Sequence, residues 1–198
     1  KRKTDRLPDK EEVLKMKIGS RVFDTENQTY IMGILNVTPD SFSDGGKWNK
    51  KDAALKHTEE MILEGADIID IGGESTRPGY TLLPDQEEIE RVVPVIEMVK
   101  KNFDIPISVD TYKSAVAEAS VKAGADLVND IWGLKYDQKM ADVIAKNQVA
   151  CCLMHNRKEA NYKNFIDEMM DDLRETIAIA KKAGIPDDKI MLDPGVGF

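Results

Sequence analysis

Short oxygen-bearing side chains recur at one kind of place in this chain, the far end of a short apolar run. Asn36 follows Ile34-Leu35, Asp70 follows Ile68-Ile69, Asp110 follows Val109, Asn129 follows Leu127-Val128 and Asp193 follows Met191-Leu192, while Met154-His155 closes a further run. Apolar runs of this length, bounded by polar and turn residues, read as buried strands. Any one Asp or Asn at a strand end is explained by its bonds to nearby backbone, but five together favour a site. Alternation along a strand sets Asp110 on the face of Ser108, Asn129 with Leu127 and Ile131, and Asp193 with Met191. Facing inward, these groups form the mouth of a mostly apolar pocket. Such a pocket suits a flat heterocycle with ring N–H donors and amide-like acceptors, since Asp takes donors and the Asn carboxamide serves either kind. Leaving one such group buried without a partner costs about 1–3 kcal/mol, which is a source of selectivity.

The elements that must hold these groups follow a strict alternation. After a charged opening with a possible hairpin (Val22-Phe23 against Thr29-Tyr30, turning at Asp24 to Asn27), a strand is expected over Tyr30 to Leu35. A polar loop, Asn36 to Gly46, comes next, then a helix capped by Asp52 and ended by Gly65. The strand Asp67 to Ile71 leads into a second polar loop, Gly72 to Gly79. The helix Asp85 to Asn102 has Ile89, Val92, Val93, Ile96 and Val99 on one face and Pro94 as a kink. Strands are then expected at Pro106 to Asp110, Ala125 to Ile131, Val149 to Met154 and Ile190 to Asp193, with helices opening at Thr111, Asp137 and Tyr162.

Gly65-Ala66-Asp67-Ile68-Ile69-Asp70 recurs as Gly124-Ala125-Asp126-Leu127-Val128-Asn129, and Gly184-Ile185 heads a looser third copy. Each interval holds two strand-helix pairs of about 30 residues, and eight such pairs match the ~250 residues of a (β/α)8 barrel. The fold class is therefore α/β, a (β/α)8 TIM barrel truncated after about six strands. In a barrel all strand ends converge on one rim. A doubly wound sheet is the rival, but no Gly-x-Gly-x-x-Gly turn follows the first strand.

Composition sets outer limits. A net charge of -8 over 198 residues argues against general affinity for nucleic acid, so any anionic ligand must be held locally. Cys151 and Cys152, adjacent in an apolar run, read as small buried hydrophobes and suit a reducing cytoplasm. No run approaches the ~20 apolar residues of a membrane span. His57 is expected on a solvent face, His155 as a structural rim residue, Trp132 and Met169-Met170 as packing, and Asp167 to Asp172 as a solvated helix face.

The stretch Met32-Gly33-Ile34-Leu35-Asn36-Val37-Thr38-Pro39-Asp40-Ser41-Phe42-Ser43-Asp44-Gly45-Gly46 resembles the first signature of the dihydropteroate synthase family, and Asp70-Ile71-Gly72-Gly73-Glu74-Ser75-Thr76-Arg77-Pro78-Gly79 resembles the second. Ser108 to Lys113, Val128 to Gly133, Leu153 to Asn156 and Leu192 to Phe198 agree with it too. The resemblance implies a transferase of folate biosynthesis that joins p-aminobenzoate to (7,8-dihydropterin-6-yl)methyl diphosphate, releases diphosphate, uses Mg²⁺ and is a sulfonamide target. It implies pterin contacts for Asp110, Asn129 and Asp193, with Ile131, Met154 and Phe198 lining the pocket. Asn36 would meet Mg²⁺ through its side-chain oxygen. Thr76 and Arg77 would serve the diphosphate, and Phe42 and Pro78 the p-aminobenzoate. Positive charge develops as diphosphate leaves, and a first-loop carboxylate, Asp44 before Asp40, is suited to stabilise it.

On this reading residues 1–29 are an extension or hairpin closing the barrel bottom, and residues 30–198 are a pterin-binding barrel domain without its last two units. The family's later segments, Ser-Arg-Lys-Ser-like and Arg-x-His, are expected to supply the main cations, so little activity is expected from these residues alone. A homodimer is expected at full length. A pterin-binding methyltransferase domain and a binding-only relative are the alternatives.

Overall fold

The computed structural model describes residues 15–37, 47–74 and 82–198. Six strands, β3 (Met32–Asn36), β4 (Ile68–Gly72), β5 (Ile107–Asp110), β6 (Leu127–Asp130), β7 (Ala150–Met154) and β8 (Ile190–Asp193), form one parallel sheet. Five helices join them: α1 (Lys47–Leu63), α2 (Asp85–Asn102), α3 (Ser114–Ala123), α4 (Met140–Asn147) and α5 (Phe165–Ala183). Strand order in space follows strand order in sequence, β3-β4-β5-β6-β7-β8, with no reversal. A doubly wound sheet needs a reversal, so the barrel-type winding holds. The sheet is not closed: among the described residues β3 pairs only with β4, and β8 only with β7.

Side-chain alternation gives the sheet two different faces. Ile69, Ile71, Ile107, Val109, Val128, Cys151 and Leu153 pack with Val92, Ile96, Val116, Ile144 and Ala180 of the helices. On the other face Ile68, Leu127, Ala150 and Cys152 pack with Ile18 and Phe23. Those last two come from an antiparallel hairpin, β1 (Lys15–Ile18) with β2 (Arg21–Asp24).

The hairpin corrects the sequence reading, which paired Val22-Phe23 with Thr29-Tyr30. Gly19, at φ +58°, permits a two-residue link to the preceding strand, so β1 takes that place. Tyr30 instead packs edge-on against Phe23, ring centroids 4.7 Å apart, and its hydroxyl accepts the Asp24 N–H at 2.8 Å. Several helix starts also shift. Helix α1 begins five residues before Asp52, because no breaker lies between Gly46 and Asp52. Helix α3 begins at Ser114, since Thr111, Tyr112 and Lys113 are buried in a loop. Asp137 precedes α4 and accepts the Ser114 and Lys139 N–H groups. Pro94 lies within α2, and the buried face of that helix includes Glu88 and Val95, which the apolar pattern left out.

The internal repeat has a physical cause. Asp67 accepts the Ile31 N–H at 2.8 Å, and Asp126 accepts the Ile107 N–H at 3.0 Å. In both copies the aspartate just ahead of a strand grips the backbone at the start of the neighbouring strand. Gly124 and Gly184 end α3 and α5 in the left-handed region, as their spacing predicts.

Candidate functional site

Register fixes one row of residues near the C-terminal ends of the strands: Asn36 beside Gly72, Gly72 beside Asp110, Asp110 beside Asn129, and Asn129 beside Cys152. Gly72 has no side chain, which leaves a gap in the row. A Cβ there would lie 3.4 Å from Asp110 Oδ2 and 3.6 Å from Asn36 Oδ1, so these two oxygens flank the gap. Asp193 pairs with Met154 at the rim. Its Oδ1 accepts the Gly195 N–H at 2.7 Å. Gly195 is required there: its φ is +73°, and a Cβ would stand 2.3 Å from the His155 carbonyl oxygen.

Asp70 corrects the sequence reading. It does not close its strand but lies two residues below the end, paired with Ser108 in the row beneath. There the Asn129 Nδ2 donates to Asp70 Oδ2 at 3.1 Å. Burial pushes the Asp70 carboxyl above its ordinary range, against the opposing pull of Ser108 and Asn129. Asp110 is pushed well above its range by burial, then by the charges of Asp70, Glu88, Asp130 and Glu74. Asp110 Oδ1 is buried with no hydrogen-bond partner among the described residues.

Below and beside the row lies a cavity of about 420 Å³. Met16, Ile18, Phe23, Met32, Ile68 and Met191 give it apolar walls, and Asn129 and Asp193 are among its polar lining. Ile131 and Met154 cluster with Tyr112. Phe198 is not brought to them; it is 62% exposed, with its N–H bonded to the Gly195 carbonyl. Asn36 is exposed. Asp40, Phe42, Asp44, Thr76, Arg77 and Pro78 lie outside the described residues.

A buried ionic network went unrecognised in the sequence. Lys113 Nζ lies 2.5 Å from Glu74 Oε2 and 2.7 Å from Glu88 Oε2, and it donates to the Leu83 carbonyl at 2.8 Å. The Tyr112 hydroxyl donates to Glu74 Oε1 at 2.5 Å, and the Leu83 N–H to Glu74 Oε2 at 2.9 Å. Glu74 and Leu83 are nine positions apart in sequence, and one lysine binds both. Burial works against the Lys113 ammonium, but the two carboxylates outweigh it and hold its pKa above the ordinary range. The only sequence signal was a Lys and a Glu inside the two family-like segments.

Other polar groups pair among themselves. His155 lies 3.2 Å from Asp172 and 3.3 Å from the Tyr162 hydroxyl. Arg157 binds Asp172 at 2.6 Å and Glu168 at 2.9 Å, so the acidic start of α5 is not merely solvated. Cys151 and Cys152 are buried and free, their thiols pushed up to about 12 by burial. No cluster of three or more His, Cys, Asp or Glu suited to a metal occurs among the described residues. No described helix is long and apolar enough to cross a membrane.

Residues 32–198 match the family described as Pterin binding enzyme. The dihydropteroate synthase of Clostridium beijerinckii is 61% identical over 183 residues, covering 92% of this chain and 68% of that protein. The chain belongs to the dihydropteroate synthase family. Among solved structures, the dihydropteroate synthase from Clostridium difficile in the presence of pteroic acid superposes with a TM-score of 0.86 at 52% identity, covering 89% of this chain and 67% of that one. The Yersinia pestis dihydropteroate synthase with a sulfonamide drug gives 0.84 at 42% identity, covering 93% and 69%. The chain thus spans about two thirds of the dihydropteroate synthases it matches, and its six-stranded sheet is their TIM-barrel fold in part.

Proposed function

We propose that this chain carries the pterin-binding part of a dihydropteroate synthase active site, which joins (7,8-dihydropterin-6-yl)methyl diphosphate to p-aminobenzoate. The observation that carries this reading is the Asp110–Asn129 row beside an apolar-walled cavity, with a buried Asp110 oxygen that has no partner among the described residues. Ring N–H donors of a pterin supply the missing partner. Asp193 takes a second set of donors, and Ile131 and Met154 pack beside the ring. In the reaction the bond from the methylene carbon to the diphosphate oxygen breaks, and diphosphate leaves with the electron pair. The arylamine nitrogen forms the new C–N bond and gives up a proton. That amine is a weak nucleophile, so orientation and exclusion of water carry most of the acceleration.

Roles for Asp44 or Asp40 at the developing cation, for Thr76 and Arg77 at diphosphate, and for Phe42, Pro78 and Phe198 at the aromatic substrates rest on the family signatures. Asn36 fits Mg²⁺ as one oxygen donor beside an open gap, which suits a hard cation that keeps water and phosphate ligands. When bound, Mg²⁺ supplies charge neutralisation on the diphosphate. The hairpin's packing under the sheet supports its assignment as the cap of the barrel bottom. Buried free thiols support a cytoplasmic setting, and likeness to the family supports a sulfonamide target and a full-length homodimer.

A diphosphate-release assay on the full-length protein with both substrates tests the reading. Release that requires both substrates and falls at least about 100-fold in D110A supports it. No release from the full-length protein, or methyl transfer to a corrinoid instead, would overturn it.

A further inference from the structure

We propose that Asp70 is a positioning residue that locks the Asn129 carboxamide in one orientation, so that its carbonyl oxygen is the atom offered to the bound ring. The proposal rests on the pterin reading above and says which pattern of donors and acceptors the pocket accepts. A carboxamide is nearly symmetric in shape but opposite in hydrogen bonding at its two ends. Left alone in a pocket, it can flip and recognise either a donor or an acceptor. An ionised carboxylate only accepts, so placing one against the amide selects the NH2 end. In this fold the selection is built in. Asn129 Nδ2 is 3.1 Å from Asp70 Oδ2. Asp70 is 4% exposed, on β4, with β5 between it and β6.

The bond therefore crosses one intervening strand diagonally, passing Ser108, whose position in the lower row is set by its pairing with Asp70. Two strands of backbone hydrogen bonds fix both ends. The cost of keeping a carboxylate there is visible in its surroundings: Asp110 stands one row up, Leu127 lies in the same row beyond Ser108, and Ile68 lines the same face one row below. An apolar residue at position 70 would pack on that face without this cost. What it would lose is the acceptor for Asn129.

The test uses the full-length protein with D70A and D70N. The D70N side chain retains an acceptor oxygen and nearly the same shape, while that of D70A retains neither. The dissociation constant of 6-hydroxymethylpterin is measured for each, together with the KM for p-aminobenzoate and the side-chain amide NMR resonances of Asn129. Expected are a loss of pterin affinity of at least about 10-fold in D70A, a smaller loss in D70N, whose own amide can present either end, an unchanged KM for p-aminobenzoate, and a shifted or averaged Asn129 amide pair in both variants. Wild-type pterin affinity in D70A, or an Asn129 amide pair unmoved in D70A, would overturn the assignment of Asp70 while leaving the functional reading intact. A wild-type protein that fails to bind the pterin would sink that reading, and this one with it.

Discussion

Asp110 presents a buried, unpartnered oxygen and a carboxyl pushed well above its ordinary range, first by burial and then by Asp70, Glu88, Asp130 and Glu74. An ionised carboxylate accepts ring N–H donors at both oxygens and more strongly than the protonated acid, whose O–H turns one oxygen into a donor, and a raised pKa places the loss of that charge closer to neutrality. Pterin affinity is therefore expected to fall as pH is lowered through the raised pKa, by about tenfold per unit below it, and D110N is expected to flatten this limb. Calorimetric titration between pH 5 and 8 on both proteins checks it; an equally steep limb in D110N would remove Asp110 from the recognition. Asp130 faces the helices and accepts the Trp132 and Leu134 N–H groups at 2.8 Å each. Burial raises its carboxyl from 3.8 to about 6. The folded state then binds more protons than the unfolded one across that window, so stability falls as pH rises through it, by on the order of 3 kcal/mol at most. Unfolding in urea at pH 4 and pH 7 should show a smaller difference in D130N. At this scale the site was partly legible: strand-end position revealed Asp110, Asn129 and Asp193. Asp70 was seen but misplaced by one row, because a run of apolar residues does not mark which of its last members turns inward below the rim.

Among elements, the network at Lys113 joins the loop after β4, the start of α2 and the loop after β5. Replacing Lys113 with Met leaves two buried carboxylates facing each other, and a loss of about 3–5 kcal/mol is expected in urea unfolding. The triple variant E74Q/K113M/E88Q should recover much of that loss, since no buried charge then lacks a partner. If the single and triple variants are equally unstable, packing rather than charge governs the site. Asp126 is a simpler case: D126A removes the acceptor for the Ile107 N–H and for Lys100, and about 1–3 kcal/mol is expected. The six strands, five helices and glycine stops were legible because apolar runs and Gly124 or Gly184 are local signals. The hairpin register and the starts of α3 and α4 were not. They are set by Tyr30 on Phe23 and by Asp137 on Ser114, and the ion pair of Lys113 with Glu74 spans 39 residues of sequence.

For the molecule as a whole, the sheet has β3 and β8 as edges, and lumen-facing Ile34 is 63% exposed. Unpaired strand edges invite pairing with other chains. With these edges unpaired among the described residues, the 198-residue chain is expected to self-associate with rising concentration, which sedimentation velocity would detect. A chain that stays monodisperse at high concentration would contradict this. The clasp of Lys113 on Glu74 and Leu83 has a further consequence, for how this fold tolerates change. Because one ammonium serves Glu74, Glu88 and the Leu83 carbonyl together, none of these positions can change its charge without stranding another. Charge changes at these positions should therefore persist only in company, as the single and triple variants at Lys113 would show.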